Sequence, residues 1–220
     1  MSEFHLIVGN KKYSSWSLRP WILMTHLGVS FRETIVPLDT PEFKGQISRY
    51  SPTRRVPVLQ HGELTVWDSL AICEYIAEST GRGLPASREA RAVARSVSAE
   101  MHSGFATLRT EWPFSALARN RRTRMTAGLE ADIKRIDESW SDCRSRFGQS
   151  GGPWLFGDYS IADAMYAPVV LRFDTYGATL SETSREYVTT VLEDPSLQKW
   201  LGGAQDEPWT LAHCEVGMLA

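Results

Sequence analysis

A proline at the head of a strand-like run is the most restrictive local feature of this sequence. Val56-Pro57-Val58-Leu59-Gln60 is apolar and rich in β-branched residues, His61-Gly62 supplies a turn where glycine takes positive φ, and Leu64 to Trp67 forms a second strand. Pro57 cannot donate to a ladder, so its strand must lie at an edge, a bulge or a strand start. A cis Val56-Pro57 bond meets that demand and turns the Val56 N–H and C=O outward, free to pair with an extended peptide as an added strand. Asp68 then stops the hairpin as an N-cap, and Leu70, Ala71, Cys73, Glu74, Tyr75 and Ile76 continue at helical spacing to a Gly81 stop. Ser69 adds a hydroxyl to the unpaired N–H groups of that helix start, where a ligand carboxylate is favoured.

Ahead of this stretch, Phe4 to Val8 reads as a buried strand, and a loop leads to Ser14-Ser15-Trp16-Ser17-Leu18-Arg19-Pro20-Trp21. With Ser17 as N-cap, Pro20 falls at the third helical position, where a missing N–H costs no intrahelical bond; a cap at Ser15 would lose one. The reading is a helix capped by Ser17 and ending at Gly28. Ser14 and Ser15 then precede a helix N-terminus, as turn and cap residues or as hydroxyl donors near the positive end of a helix dipole. Phe31 to Val36 is a second strand, and Asp39 to Ser51 a loop with a short helix.

The hydrophobic period changes at Gly81-Arg82-Gly83-Leu84-Pro85-Ala86, read as a linker at 81–86 between units at 1–80 and 87–220. Val93, Val97, Met101, Phe105 and Leu108 mark one long amphipathic helix from about Ser87, and Leu129, Ile133, Ile136, Trp140, Cys143 and Phe147 mark another. Ser160 and Asp163 have the spacing of a capping box, and Pro168 is expected to kink the helix that follows.

These segments together resemble the cytosolic glutathione transferases. Val56-Pro57 followed by Asp68-Ser69 is similar to their glutathione-binding half, and Ser160-x-x-Asp163 to the box that opens their central helix. Tyr13-Ser14-Ser15-Trp16-Ser17-Leu18-Arg19-Pro20-Trp21 resembles the Ser-Ser-Cys-Ser-x-Arg segment of the zeta class, and more so a bacterial Ser-type group with tryptophan at the third place. The resemblance implies an α/β plus all-α protein, a thioredoxin-like βαβαββα domain followed by an all-helical domain. It also implies glutathione as co-substrate, Ser14 as thiol activator with Ser15 second, and a homodimer.

By the same resemblance, glutathione would meet Val56, Pro57, Asp68 and Ser69, with Arg54 or Arg55 on its glycyl carboxylate. Glu100 is the candidate for the γ-glutamyl amine, and Trp16, Arg109 and Trp112 for the electrophile pocket. The implied function is a detoxifying glutathione transferase acting on a small electrophile. The alternatives are a zeta-like isomerase, which Trp16 in the cysteine position disfavours, and a binding or regulatory protein on the same scaffold.

Composition limits the rest. The 220 residues are 42% hydrophobic and 23% charged with a net charge of −2, an ordinary globular balance without a pull toward nucleic acid or anionic membrane. The arginines at 119, 121, 122 and 124 read as a solvated face. Three scattered cysteines suit a reduced compartment, and no His or Cys has metal-site spacing, so no metal is expected. Neither a signal peptide nor a membrane-spanning run is read, so the expected location is cytoplasmic.

Overall fold

The computed structural model describes residues 3–149 and 151–219. Strands β1 (Phe4–Val8), β2 (Phe31–Ile35), β3 (Val58–His61) and β4 (Leu64–Trp67) form one sheet in the order β2-β1-β3-β4. The β1/β2 pair is parallel, and β1/β3 and β3/β4 are antiparallel. With helices α1 (Ser15–His26), α2 (Phe43–Ile47) and α3 (Ser69–Thr80) the chain runs β-α-β-α-β-β-α, the thioredoxin-like order expected. Helices α4 (Arg88–Ser103), α5 (Ala106–Glu111), α6 (Ala127–Phe147), α7 (Ile161–Tyr176), α8 (Glu182–Glu193) and α9 (Pro195–Gln205) make the helical part. Near the C-terminus β6 (Met218–Leu219) pairs with β5 (Arg121–Arg122). Among the described residues no helix is long and apolar enough to cross a membrane.

Helix α7 is the axis. All but one of its residues are buried, and it packs against α1, α3, α4 and α8. Its start is the capping box expected from Ser160 and Asp163. Asp163 is buried and accepts from the Ser160 N–H (2.8 Å), the Ser160 hydroxyl (2.9 Å), the Leu155 N–H (3.0 Å) and the Tyr187 hydroxyl (3.1 Å). Burial pushes this carboxyl above its ordinary range, and the hydrogen bonds pull the other way. One side chain therefore ties the start of α7 to the preceding loop and to α8.

Two helix limits differ from the sequence reading. Helix α1 begins at Ser15 with Ser14, not Ser17, at the N-cap, and Pro20 lies inside it. The cost is the bond that Pro20 cannot donate to the Trp16 carbonyl. Burial of nearly the whole helix, including Leu18, Trp21, Ile22, Leu23 and Met24, outweighs one lost bond. The Ser17 hydroxyl is instead committed to the Gly9 N–H at 3.0 Å, which fixes the first turn to the end of β1. The long helix expected from Ser87 is broken into α4 and α5 at Gly104-Phe105, where Phe105 takes φ 55°. A Cβ at Gly104 would lie 2.7 Å from the Glu100 carbonyl, so the break needs glycine there.

Asp163→Ala strips one acceptor from four buried donors and should cost about 3 kcal/mol or more, a fall in Tm of roughly 6–12 °C for a chain of this size. Asp163→Asn, which keeps an acceptor oxygen, should recover part of it. Thermal denaturation unchanged in Asp163→Ala would contradict this account of the α7 start.

Candidate active site

A cleft of about 500 Å³ is lined by four segments: Trp16 in the first turn of α1; Thr53, Arg55, Val56 and Pro57 ahead of β3; Trp67, Asp68 and Ser69 where β4 enters α3; and His102 at the end of α4. That volume suits a small-molecule ligand. The Val56-Pro57 peptide is cis, as read from the sequence. Among the described residues no hydrogen bond engages the Val56 N–H or C=O, which leaves one donor and one acceptor at the rim.

Asp68 holds the start of α3 in place. Its carboxylate accepts from the Leu70 N–H (2.9 Å) and the Ala71 N–H (3.3 Å) while its backbone takes φ 76°, a left-handed conformation that non-glycine residues seldom adopt. Strain of this kind gathers at ligand clamps. The other carboxylate oxygen lies 3.1 Å from Nε2 of His102, which joins α4 to the start of α3. Next to it, Ser69 is buried, and its hydroxyl has no hydrogen-bond partner among the described residues.

Ser14 and Ser15 are 5% and 6% exposed, and neither lines the cleft, although the adjoining Trp16 does. The Ser14 hydroxyl donates to Ser17 Oγ at 2.8 Å. Ser14 makes no side-chain cap bond, so the helix start next to it keeps uncapped N–H groups.

The Trp16 ring meets His102 edge-on at 5.4 Å, and the guanidinium carbons of Arg19 and Arg109 lie 4.0 and 5.7 Å from its centre. Arg19 is fully buried, and none of its guanidinium nitrogens has a hydrogen-bond partner among the described residues. Burial, then the fields of Arg172 and Arg109, push its pKa down to about 9. Arg172, from α7, is pushed down to about 10 by burial and then by Arg109.

Of the residues predicted from the sequence, Trp16, Arg55, Val56, Pro57, Asp68 and Ser69 meet at the cleft. Arg109 and Trp112 do not line it: Arg109 stands against the Trp16 ring, and the Trp112 ring is buried, stacks on Tyr176 at 5.1 Å and donates to Thr123 at 2.7 Å. Glu100 is held by Arg135 of α6 through two bonds of 2.7 and 2.8 Å. Sequence reasoning did not single out His102, Thr53 or Trp67. No local motif gives His102 a role, because its neighbours Trp16 and Asp68 lie far from it in the sequence.

Residues 13–79 match the family model for the glutathione S-transferase N-terminal domain, and residues 126–203 match that for the C-terminal domain. The chain belongs to the glutathione S-transferase family. It superposes with a TM-score of 0.71 and 25% identity on a glutathione transferase homolog from Burkholderia with bound glutathione, covering 93% of this chain and 100% of that one. A zeta-class maleyl pyruvate isomerase shares the fold at a TM-score of 0.69, with 22% identity and coverage of 92% and 99%. Maleylacetoacetate isomerase of Rattus norvegicus is 27% identical over 176 residues, 76% of this chain and 78% of that protein. Dichloromethane dehalogenase of Methylophilus leisingeri is 40% identical over 60 residues, but that match spans 25% of this chain and only 21% of the dehalogenase.

The protein's own thiols are poor nucleophiles. Burial raises Cys73 far above the ordinary thiol range, pushes Cys143 up to about 12 and raises Cys214. In the native protein a disulfide dye at mildly alkaline pH should label Cys214 at most, and denaturant should release all three thiols. Rapid native labelling of Cys73 or Cys143 would contradict the burial described.

Proposed function

We propose that this chain is a glutathione transferase that ionises the thiol of bound glutathione and delivers it to a small electrophile. The observation that carries the reading is that two helix starts meet at one cleft, α3 at Asp68-Ser69 and α1 at Trp16, beside an unpaired Val56 peptide. In this reading the cysteinyl backbone of glutathione pairs with the Val56 N–H and C=O as an added strand. The γ-glutamyl carboxylate takes the free Ser69 hydroxyl and the N–H groups of α3, in the positive end of the helix dipole. Arg55 stands at the far rim for the glycyl carboxylate.

The sulfur then lies toward the start of α1. A free thiol has a pKa of about 8.5, so the site must favour the thiolate. Ser14 supplies an O–H for this by turning its hydrogen from Ser17 Oγ to the sulfur, and the uncapped N–H groups of α1 add to the field. Ser15, the first helical residue, is the second candidate. His102 orients Asp68 through its 3.1 Å contact and closes the cleft from the helical half. Attack forms the C–S bond, and the acceptor releases its leaving group or takes up a proton. The likeness to maleylacetoacetate isomerase supports a second reading, a glutathione-dependent isomerase, in which the same thiolate adds reversibly and leaves again. Glu100, bound to Arg135 within its own chain, would act on ligand only across a homodimer.

Isothermal titration with glutathione and conjugation of an activated halonitrobenzene test the reading together. Ser14→Ala should bind glutathione nearly as well as the wild type while kcat falls about 10²–10³-fold, the usual loss for one donor to a developing anion. Ser15→Ala should lose far less, and the reverse order would exchange the two roles. A wild-type protein that binds no glutathione would overturn the proposal.

A further inference from the structure

Resting on that reading, we infer that the electrophile carries a carboxylate, held beside Trp16 by Arg109 with Arg19 and Arg172 behind it. Three cations lie within range of one another, and two of them stand against the ring of Trp16, which lines the cleft. Arg19 and Arg109 both face the Trp16 ring, at 4.0 and 5.7 Å, and the Arg172 guanidinium carbon lies 5.4 Å from the centre of the Phe114 ring. Arg19 and Arg172 are 0% and 4% exposed, and Arg109 is half-buried. None of the three enters an ion pair among the described residues.

Their protein partners carry no net charge. Arg172 donates to the carbonyls of Trp112 (2.8 Å) and Pro168 (3.3 Å), and Arg109 to that of Gly104. The nearby carboxylates are engaged elsewhere: Asp68 with the α3 N–H groups and His102, Asp132 with the Leu108 N–H at 2.9 Å. Arg172 and Arg109 depress the ionisation of Arg19, and Arg109 that of Arg172, so the cluster holds positive charge against its own repulsion. Buried charge of one sign is costly unless it is paired, and a carboxylate offers guanidinium groups a planar, two-pronged partner. The cluster is local, since the whole chain has a net charge of −2.

Glutathione's own carboxylates already have places in the reading above, at Ser69 and at Arg55. None of the three arginines belongs to the lining of that cleft, and Arg172 comes from α7. An anion at the three arginines thus comes from the second substrate.

The test uses product-like conjugates that need no turnover: S-(3-carboxybenzyl)glutathione and S-(4-carboxybenzyl)glutathione, each with its benzoate methyl ester, and glutathione itself, all by isothermal titration. At low salt the better acid should bind at least about tenfold tighter than its ester, and high salt should narrow the gap. Arg109→Met should bring the acid and ester within about twofold of one another while glutathione affinity stays near wild type, and Arg109→Lys should restore part of the preference. Equal binding of acid and ester by a wild type that binds glutathione would overturn this inference and leave the proposed function standing. So would an equal loss of acid, ester and glutathione in Arg109→Met, which would assign the cluster to packing or to glutathione's own carboxylates. Failure of the wild type to bind glutathione would remove the proposed function and this inference with it.

Discussion

The Asp163 carboxylate is the contact on which the rest of the structure depends. It closes the first turn of α7 and ties that helix to the Leu155 loop and to Tyr187 of α8. Helix α7 is the surface against which α1, α3 and α4 pack, so the spacing between the sheet and the helical part follows from where α7 begins. It also carries Arg172 into the cation cluster, nine residues beyond the carboxylate on the same helix. A buried polar group of this kind costs free energy unless every hydrogen bond is made, which is why four donors converge on it.

The cleft stands where the two parts of the chain meet, and strain and unpaired polar groups collect there. Asp68 keeps a left-handed backbone, and Ser69 has a buried hydroxyl without a partner among the described residues. Arg19 lies fully buried against Trp16 with three nitrogens in the same condition. Other helix starts are capped by their own side chains: Thr126, Ser181 and Asp194 cap α6, α8 and α9.

Much of this was legible in the sequence because the signals are local. The hairpin, the cis Val56-Pro57 bond, the Asp68 cap, the Gly81 stop and the Ser160/Asp163 box each depend on a few neighbouring residues. The start of α1 was placed three positions late because the rule for proline counts one hydrogen bond and cannot weigh the burial of a whole helix face. The break at Gly104-Phe105 was hidden by an apolar period that continues across it. Long-range partners were invisible altogether: Arg135 takes Glu100 from 35 residues away, Tyr176 buries Trp112 from another helix, and His102 reaches Asp68 across the cleft. Arg19 and Arg172 read as ordinary helix residues until the fold placed both within range of Arg109.

The central claim is that the cleft binds glutathione and stabilises its sulfur as an anion. The most direct measurement is a pH titration of the ultraviolet thiolate absorbance of glutathione bound to the wild-type protein, with free glutathione subtracted. The account predicts that the bound thiol titrates at least about one unit below its free value near 8.5. Binding with an unshifted or raised thiol pKa would contradict it, and would leave the site as one that holds glutathione without activating it.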